Sequence, residues 1–420
     1  MKNGVNSKFV EGLIWNYGSV VILSISGFLI NFLIICFYDA AALGVFSRAQ
    51  AWYGVLSQIT VWGVHMSVMR LIPEYQDARR EQEMILSSAM AGVLMFSVVC
   101  VGMIELLLPR IITEHGRLLT SMQILMPGLV FFSLNKILLN YLNGLSMMKS
   151  YAFFQSLRYL VIVVIVWVMG ALQCDYKWLT ASFTGAELVV LAACVGYLIH
   201  RGLFIRHPGL KYLKRHASFG TRILLSNLVN ELNTKVDIIC LGFFVGDDYL
   251  IGIYSFAVLF AEGFYQLYFV VRRSINPKIT EYYVRDTLKE GIGMLNSGLK
   301  RALRVASPLA FAALLTGYYV ICCLLQRKEY LSGLTFLIVI CLAIVVSGRK
   351  IILGNIFAQT SFPAIESLFN LITVISNFIL NVIFILWLGL MGAAVATALS
   401  YLIYGHLLKY YVKKKFGIAI

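Results

Sequence analysis

The sequence predicts an all-α, polytopic membrane protein with 12 transmembrane helices in two six-helix lobes related by pseudo-two-fold symmetry. Three observations predict it. The 420 residues are 60% hydrophobic and only 13% charged, with a mean hydropathy of +0.82, whereas a soluble globule is about half apolar. The apolar residues fall into twelve runs of roughly 20 or more, the length that crosses a hydrocarbon core. The 35 Lys and Arg residues punctuate those runs from one side. Drawn as spans, the runs leave 24 cations on one face and five (Arg110, Arg117, Lys177, Arg327, Lys328) on the other, with six inside or at the edge of a span.

The first lobe is expected over 1–200, with spans near 12–38, 43–70, 84–109, 118–145, 150–172 and 178–199. The first run is too long for a signal-peptide core and lacks a small-residue cleavage site, so it is expected to stay as a span. A basic linker, 201–218, carries Arg206, Lys211, Lys214 and Arg215 and reads as an amphipathic segment on an anionic leaflet. The second lobe, 219–420, holds spans near 219–246, 249–276, 303–325, 331–357, 363–388 and 390–411. The hydrophilic stretch 277–302 belongs on the linker's side. By the positive-inside rule that side is cytoplasmic, with both termini in.

The net charge of +15 is explained by topology rather than by nucleic acid, whose binders cluster cations on a soluble surface. Eight Cys without CxxC spacing read as small core residues, not as a metal site or a disulfide framework. Phosphate-binding Gly loops, HExxH and GxSxG are absent, and the outer connectors are short, so no enzyme is expected.

The halves echo each other. Leu43-Gly44-Val45-Phe46-Ser47 matches Ile251-Gly252-Ile253-Tyr254-Ser255, each after an acidic turn (Asp39; Asp247 and Asp248), and Arg70 to Tyr75 matches Pro277 to Tyr282. Equivalent spans six apart keep one orientation, which implies a parallel repeat.

Charge inside a span is costly and points to a task. The six such cations are Arg48, Lys136, Arg158, Lys235, Arg349 and Lys350. Arg48 and Lys235 sit deepest and are the first candidates for an anion. Lys235 also has Glu231 at i−4 as a neutralising partner. Lys136 and Arg158 lie nearer the cytoplasmic ends, within reach of snorkelling. Arg349 and Lys350, about 27 Å along their span, belong at its mouth. Polar residues recur at helical spacing: Asn31 with Ser24 and Gly27; Asn140 and Asn143 with Lys136; Asn230, Asn233 and Asp237; Glu262, Gln266 and Arg273; Asn370, Thr373, Asn377 and Asn381. Such stripes line a wet cavity or a helix contact, because hydrocarbon satisfies no donor. Of the membrane acids, Glu231, Asp237 and Glu262 are the best candidates for exchanging H⁺ or Na⁺; Glu105 and Glu187 are weaker. No other cofactor is expected. Gly392, Ala396 and Ser400 have small-xxx-small spacing, which favours close packing.

The opening Gly12-Leu13-Ile14-Trp15-Asn16-Tyr17-Gly18, the 43–47 run, the segment with Asp237, Leu241-Gly242, Gly252-Ile253-Tyr254-Ser255 and Ala257, and Gly392-Ala393-Ala394 with Ala396-Thr397 together resemble a known family. It is the oligosaccharide flippases (O-antigen flippase, Wzx-type) of the multidrug/oligosaccharidyl-lipid/polysaccharide exporter superfamily. The resemblance implies a transporter that moves an undecaprenyl-pyrophosphate-linked oligosaccharide, an O-antigen or similar unit, to the periplasmic leaflet by ion-coupled alternating access. The partners implied are that lipid-linked glycan, membrane lipids and other polysaccharide assembly proteins. Position in the spans then assigns Arg48, Lys235, Lys136, Arg158 and Arg349 to the anionic group, and Asn31, Asn230, Asn377 and Gln266 to sugar hydroxyls. A multidrug cation antiporter of the superfamily would need a site of acids and aromatics. A glycan polymerase or ligase would need a large periplasmic loop.

Overall fold

The computed structural model describes residues 2–112, 116–203 and 208–419; Arg206 of the linker and part of the 110–117 connector lie outside them. The described residues contain helices and no strand. The helices are α1 (Lys2–Phe37), α2 (Ala40–Val61), α3 (Val64–Glu74), α4 (Arg79–Ile111), α5 (Arg117–Gly144), α6 (Met148–Ala171) and α7 (Ala181–His200). They continue with α8 (Leu210–Phe244), α9 (Asp248–Val284), α10 (Leu288–Leu324), α11 (Leu334–Ile352), the short α12 (Ile356–Gln359), α13 (Pro363–Leu388) and α14 (Leu390–Phe416). Two 3-10 turns, Tyr176–Thr180 and Lys328–Gly333, lead into α7 and α11.

Among the described residues, ten segments are long and apolar enough to cross a membrane, and α2 with α3, bent by 50°, makes an eleventh. The protein is therefore a multi-pass membrane protein. Helix α8 completes the expected twelve as a 35-residue helix. It fails the apolar criterion because the polar stripe from Asn227 to Asp237 runs along it.

The acidic turns that open the sequence repeat are helix caps. Asp39 accepts from the Ala42 amide at 2.9 Å at the start of α2, and Asp247 accepts from the Leu250 amide at 3.2 Å at the start of α9. Each satisfies an N–H that the first helical turn leaves orphaned.

Two compact units divide between Leu232 and Asn233. In the first, α5 is central and packs on α2, α3, α4, α6 and α7, while α1 packs on α6. In the second, α11 packs on α9, α10 and α14, and α13 on α14. The pairings α2·α5, α4·α5, α5·α7 and α6·α7 of the first unit recur as α9·α11, α10·α11, α11·α14 and α13·α14 in the second. The fold therefore repeats as the sequence does.

The division falls inside α8 and not at the 201–218 linker, because the linker is bound to the first unit. Gly209 and Ser88 exchange hydrogen bonds (amide to Oγ 2.8 Å, Oγ to carbonyl 3.2 Å), and Tyr212 donates to Glu81. Arg215 reaches Glu74 at 3.3 Å and the Tyr75 hydroxyl at 3.2 Å. The buried His216 ring lies 2.9 Å from Ser67 Oγ and 3.1 Å from the Ile85 carbonyl oxygen, and burial holds its imidazole down at about 4. One turn on, α8 crosses the α2–α3 break. There Trp62 (φ 50°) and Gly63 (φ 63°) are left-handed, and a Cβ on Gly220 would overlap the Trp62 carbonyl oxygen. Only glycine admits this backbone approach. Gly392 plays the same part in the second unit, where a Cβ would overlap the Phe384 carbonyl oxygen.

Candidate functional site

The first unit holds a charged cluster built from four helices. Glu187, on α7, has a side chain only 2% exposed. Arg158, on α6, brings Nε to 2.7 Å from Glu187 Oε1 and donates from Nη2 to Oε2 at 3.1 Å. Asn135, on α5, donates from Nδ2 to Oε2 at 2.7 Å and to the Glu187 backbone carbonyl at 2.8 Å. Tyr53, on α2, donates its hydroxyl to Oε1 at 3.2 Å. An isolated carboxylate at this depth would be costly; two neutral donors and a guanidinium offset that cost.

Beside this network, the Phe132 ring carries two cations. The Arg158 guanidinium lies 4.8 Å and Lys136 Nζ 5.9 Å from its centroid. Ring faces attract cations, and more strongly where water is excluded. Among the described residues Lys136 makes no ion pair; the charges acting on it are Arg158, Glu231 and Glu187. Glu231, on the part of α8 that belongs to this unit, packs on α2, where a Cβ on Gly54 would sit 2.6 Å from its Oε1. Arg48, also on α2, is 8% exposed. The first unit thus collects Arg48, Lys136, Arg158 and Glu231 from the candidates.

The second unit distributes its polar groups differently. Asp237 is buried, accepting from the Tyr254 hydroxyl at 2.9 Å and from the Ile238 amide at 2.8 Å. Lys235 reaches the half-exposed Glu262 at 3.8 Å, so this cation has a carboxylate partner on the next helix. Asn377 donates to Asn233 Oδ1 at 3.3 Å, and its own Oδ1 accepts from Asn381 at 3.0 Å and from Ser400 Oγ at 3.0 Å. This ladder ties α8, α13 and α14 together, so Asn377 acts here as a helix contact. Arg349 donates to Asn296 Oδ1 at 3.0 Å. Gln266 of this unit is exposed; of the first unit's candidates, Asn31 donates to its own helix at the Gly27 carbonyl, 2.8 Å away, and Asn230 is exposed.

Arg158 differs from its expected snorkelling pose, since it turns inward to Glu187 instead of towards the cytoplasmic end. Glu187, ranked low among the acids, is the most heavily hydrogen-bonded of them. A signal was present: Glu187 and Arg158 are the lone ionised residues of two otherwise apolar segments, and single opposite charges on different spans favour pairing. Tyr53, Asn135 and Phe132 carried none. Arg272 on α9 was also passed over; it is mostly buried and lies 3.9 Å from Glu366, whose other oxygen accepts from the Ala358 amide in the break around α12.

These observations define a class: a helical, multi-pass membrane protein with a two-fold internal repeat and buried charge clusters. Over residues 9–282 the chain matches the family described as polysaccharide biosynthesis protein. It belongs to that family. Among curated proteins it is similar to the probable low-salt glycan biosynthesis flippase Agl15 of Haloferax volcanii, 23% identical over 276 residues, 60% of this chain and 54% of the relative. The chain thus matches about half the length of that relative. Among solved structures, the lipid II flippase MurJ in an inward closed conformation superposes with a TM-score of 0.79 at 19% identity, covering 95% of this chain and 87% of that one. An inward-facing multidrug resistance transporter of the MATE family, in the MOP superfamily, gives a TM-score of 0.72 at 11% identity and covers 94% of each chain. These likenesses establish the fold.

Proposed function

We propose that this chain is a transporter, not an enzyme: a flippase that carries an undecaprenyl-pyrophosphate-linked oligosaccharide, an O-antigen or similar surface unit, from the cytoplasmic to the periplasmic leaflet by alternating access. The observation that carries the reading is the pair Lys136 and Arg158 beside the Phe132 ring, with Lys136 in no ion pair among the described residues. A pyrophosphate needs fixed cations away from bulk water, and an ammonium beside a guanidinium is the donor set that phosphate oxygens accept. Arg48 and Arg349 are further anion contacts on this reading. Lys235 ranks below Lys136 because Glu262 competes for it. Asn31, Asn230, Asn377 and Gln266 remain the proposed partners of sugar hydroxyls. Asn230 and Gln266 are the better placed, since Asn377 is committed to its ladder. The family match and the flippase relatives support the same cargo class. The cations in the spans disfavour a cation antiporter.

Coupling to H⁺ or Na⁺ is proposed at Glu231, Asp237 or Glu262. Asp237 is the best placed, being buried with only hydroxyl and amide donors in direct contact. The proposed setting is a bacterial inner membrane with both termini cytoplasmic, beside other polysaccharide assembly proteins.

Lys136→Gln tests the reading cleanly, because among the described residues Lys136 makes no ion pair whose loss would orphan a carboxylate. Complementation of a flippase-deficient strain should fail on surface-glycan display while the protein inserts at normal level. Normal display by this variant would reject Lys136 as a cargo contact.

A further inference from the structure

We infer that Glu187 is a proton-binding site that competes with the anionic cargo for Arg158, so that anion binding in the first unit is linked to proton uptake. The inference rests on the reading of Lys136 and Arg158 as anion contacts, and adds the counter-anion already in place. Arg158 holds Glu187 through a hydrogen bond from Nη2 at 3.1 Å and an ion-pair contact from Nε at 2.7 Å, and this is the edge of the guanidinium that a phosphate would engage. An anion that recruits Arg158 therefore takes it from Glu187.

The groups facing Glu187 determine what happens next. From α2 comes the Tyr53 hydroxyl, from α5 Asn135 and the more distant Lys136, and from α6 Arg158, with Tyr159 behind it. Glu231 of α8 acts on Lys136. Arg158 is the sole cation in contact with the carboxylate among the described residues. Once it leaves, Glu187 keeps two neutral donors and no positive charge, and burial makes that state expensive. Uptake of one proton restores neutrality: the carboxylate becomes a carboxylic acid, its partners Tyr53 and Asn135 stay in place, and the guanidinium charge passes to the cargo. Linkage is reciprocal, so a proton on Glu187 must strengthen anion binding by the same factor.

The test is calorimetric binding of inorganic pyrophosphate to the purified full-length protein in detergent, in buffers of different ionisation enthalpy, with the probe's own ionisation subtracted. Wild type should take up about one proton per anion and bind more tightly as pH falls. Glu187→Gln, which keeps the shape and the amide-compatible contacts, should bind roughly 5- to 150-fold more tightly at neutral pH and lose the pH dependence. Zero proton uptake by wild type overturns the inference, and this arm needs no variant to fold. So does a Glu187→Gln protein that is folded and binds no better than wild type. If that result comes with weakened binding in Lys136→Gln, the anion site stands and only the proton linkage falls. If Lys136→Gln and Arg158→Gln both bind as wild type does, the anion reading falls and the linkage with it.

Discussion

Arg158→Met is the most informative perturbation of stability. The side chain is 12% exposed and its partner 2%, and the contact is doubly engaged at 2.7 and 3.1 Å. Methionine is apolar and of similar length, so the substitution removes the charge and leaves little void. What it leaves is Glu187 without its counter-charge, bonded to Tyr53 and Asn135, so that folding must either bury the charge or take up a proton. Breaking a buried pair from one side costs about 3–5 kcal/mol, and losing the cation over Phe132 adds to that. Removing both charges by Arg158→Met with Glu187→Leu should recover most of the loss, since a packed apolar pair is often as stable as a buried ion pair. Reversible unfolding in mixed micelles, followed by Trp fluorescence, measures both. A single-variant cost below about 1 kcal/mol would refute the claim that this pair is desolvated and mutually dependent, as would a double variant less stable than the single one.

Two further outcomes follow from the linker. His216, before the expected start of its span at 219, has its imidazole lowered from 6.5 to about 4 by burial. The unfolded segment therefore binds a proton more readily than the docked one. The docked state should be fully stable above about pH 6.5 and lose up to about 3 kcal/mol as pH falls to 4, read as faster hydrogen exchange across residues 209–216. Gly220→Ala places a methyl against the Trp62 carbonyl oxygen. It should destabilise by about 1–3 kcal/mol in the same unfolding assay, whereas Gly209→Ala, whose Cβ would meet its first neighbour at 3.6 Å, should cost less.

Most of the architecture was legible in the sequence, because the bilayer permits few alternatives: backbone groups must pair within each segment, so long apolar runs become helices. The repeat was legible through its caps and through 43–47 against 251–255. The linker was read as a boundary because it is basic and separates apolar runs. Its contacts to Ser67, Ile85 and Ser88 are tertiary and have no local signature, so the division inside α8 could not be seen. Charge pairing was half legible. Lys235 reaches Glu262, a residue on another helix that no helical spacing announces. Arg158 and Glu187 are separated by a turn of chain and a 3-10 segment, so no periodicity links them. In the sequence a cation in a span is visible; whether it is already neutralised depends on packing.

The central claim is that the Lys136 ammonium and the tethered Arg158 guanidinium beside Phe132 receive the charged end of a lipid-linked glycan. Reconstituted vesicles report it most directly: leaflet transfer of a fluorescent polyprenyl-pyrophosphate oligosaccharide, compared between wild type and Lys136→Gln at equal insertion. Loss of one charge-assisted contact, about 1.5–3 kcal/mol, predicts transfer slowed roughly 10- to 150-fold at subsaturating cargo. Transfer at the wild-type rate would contradict the account.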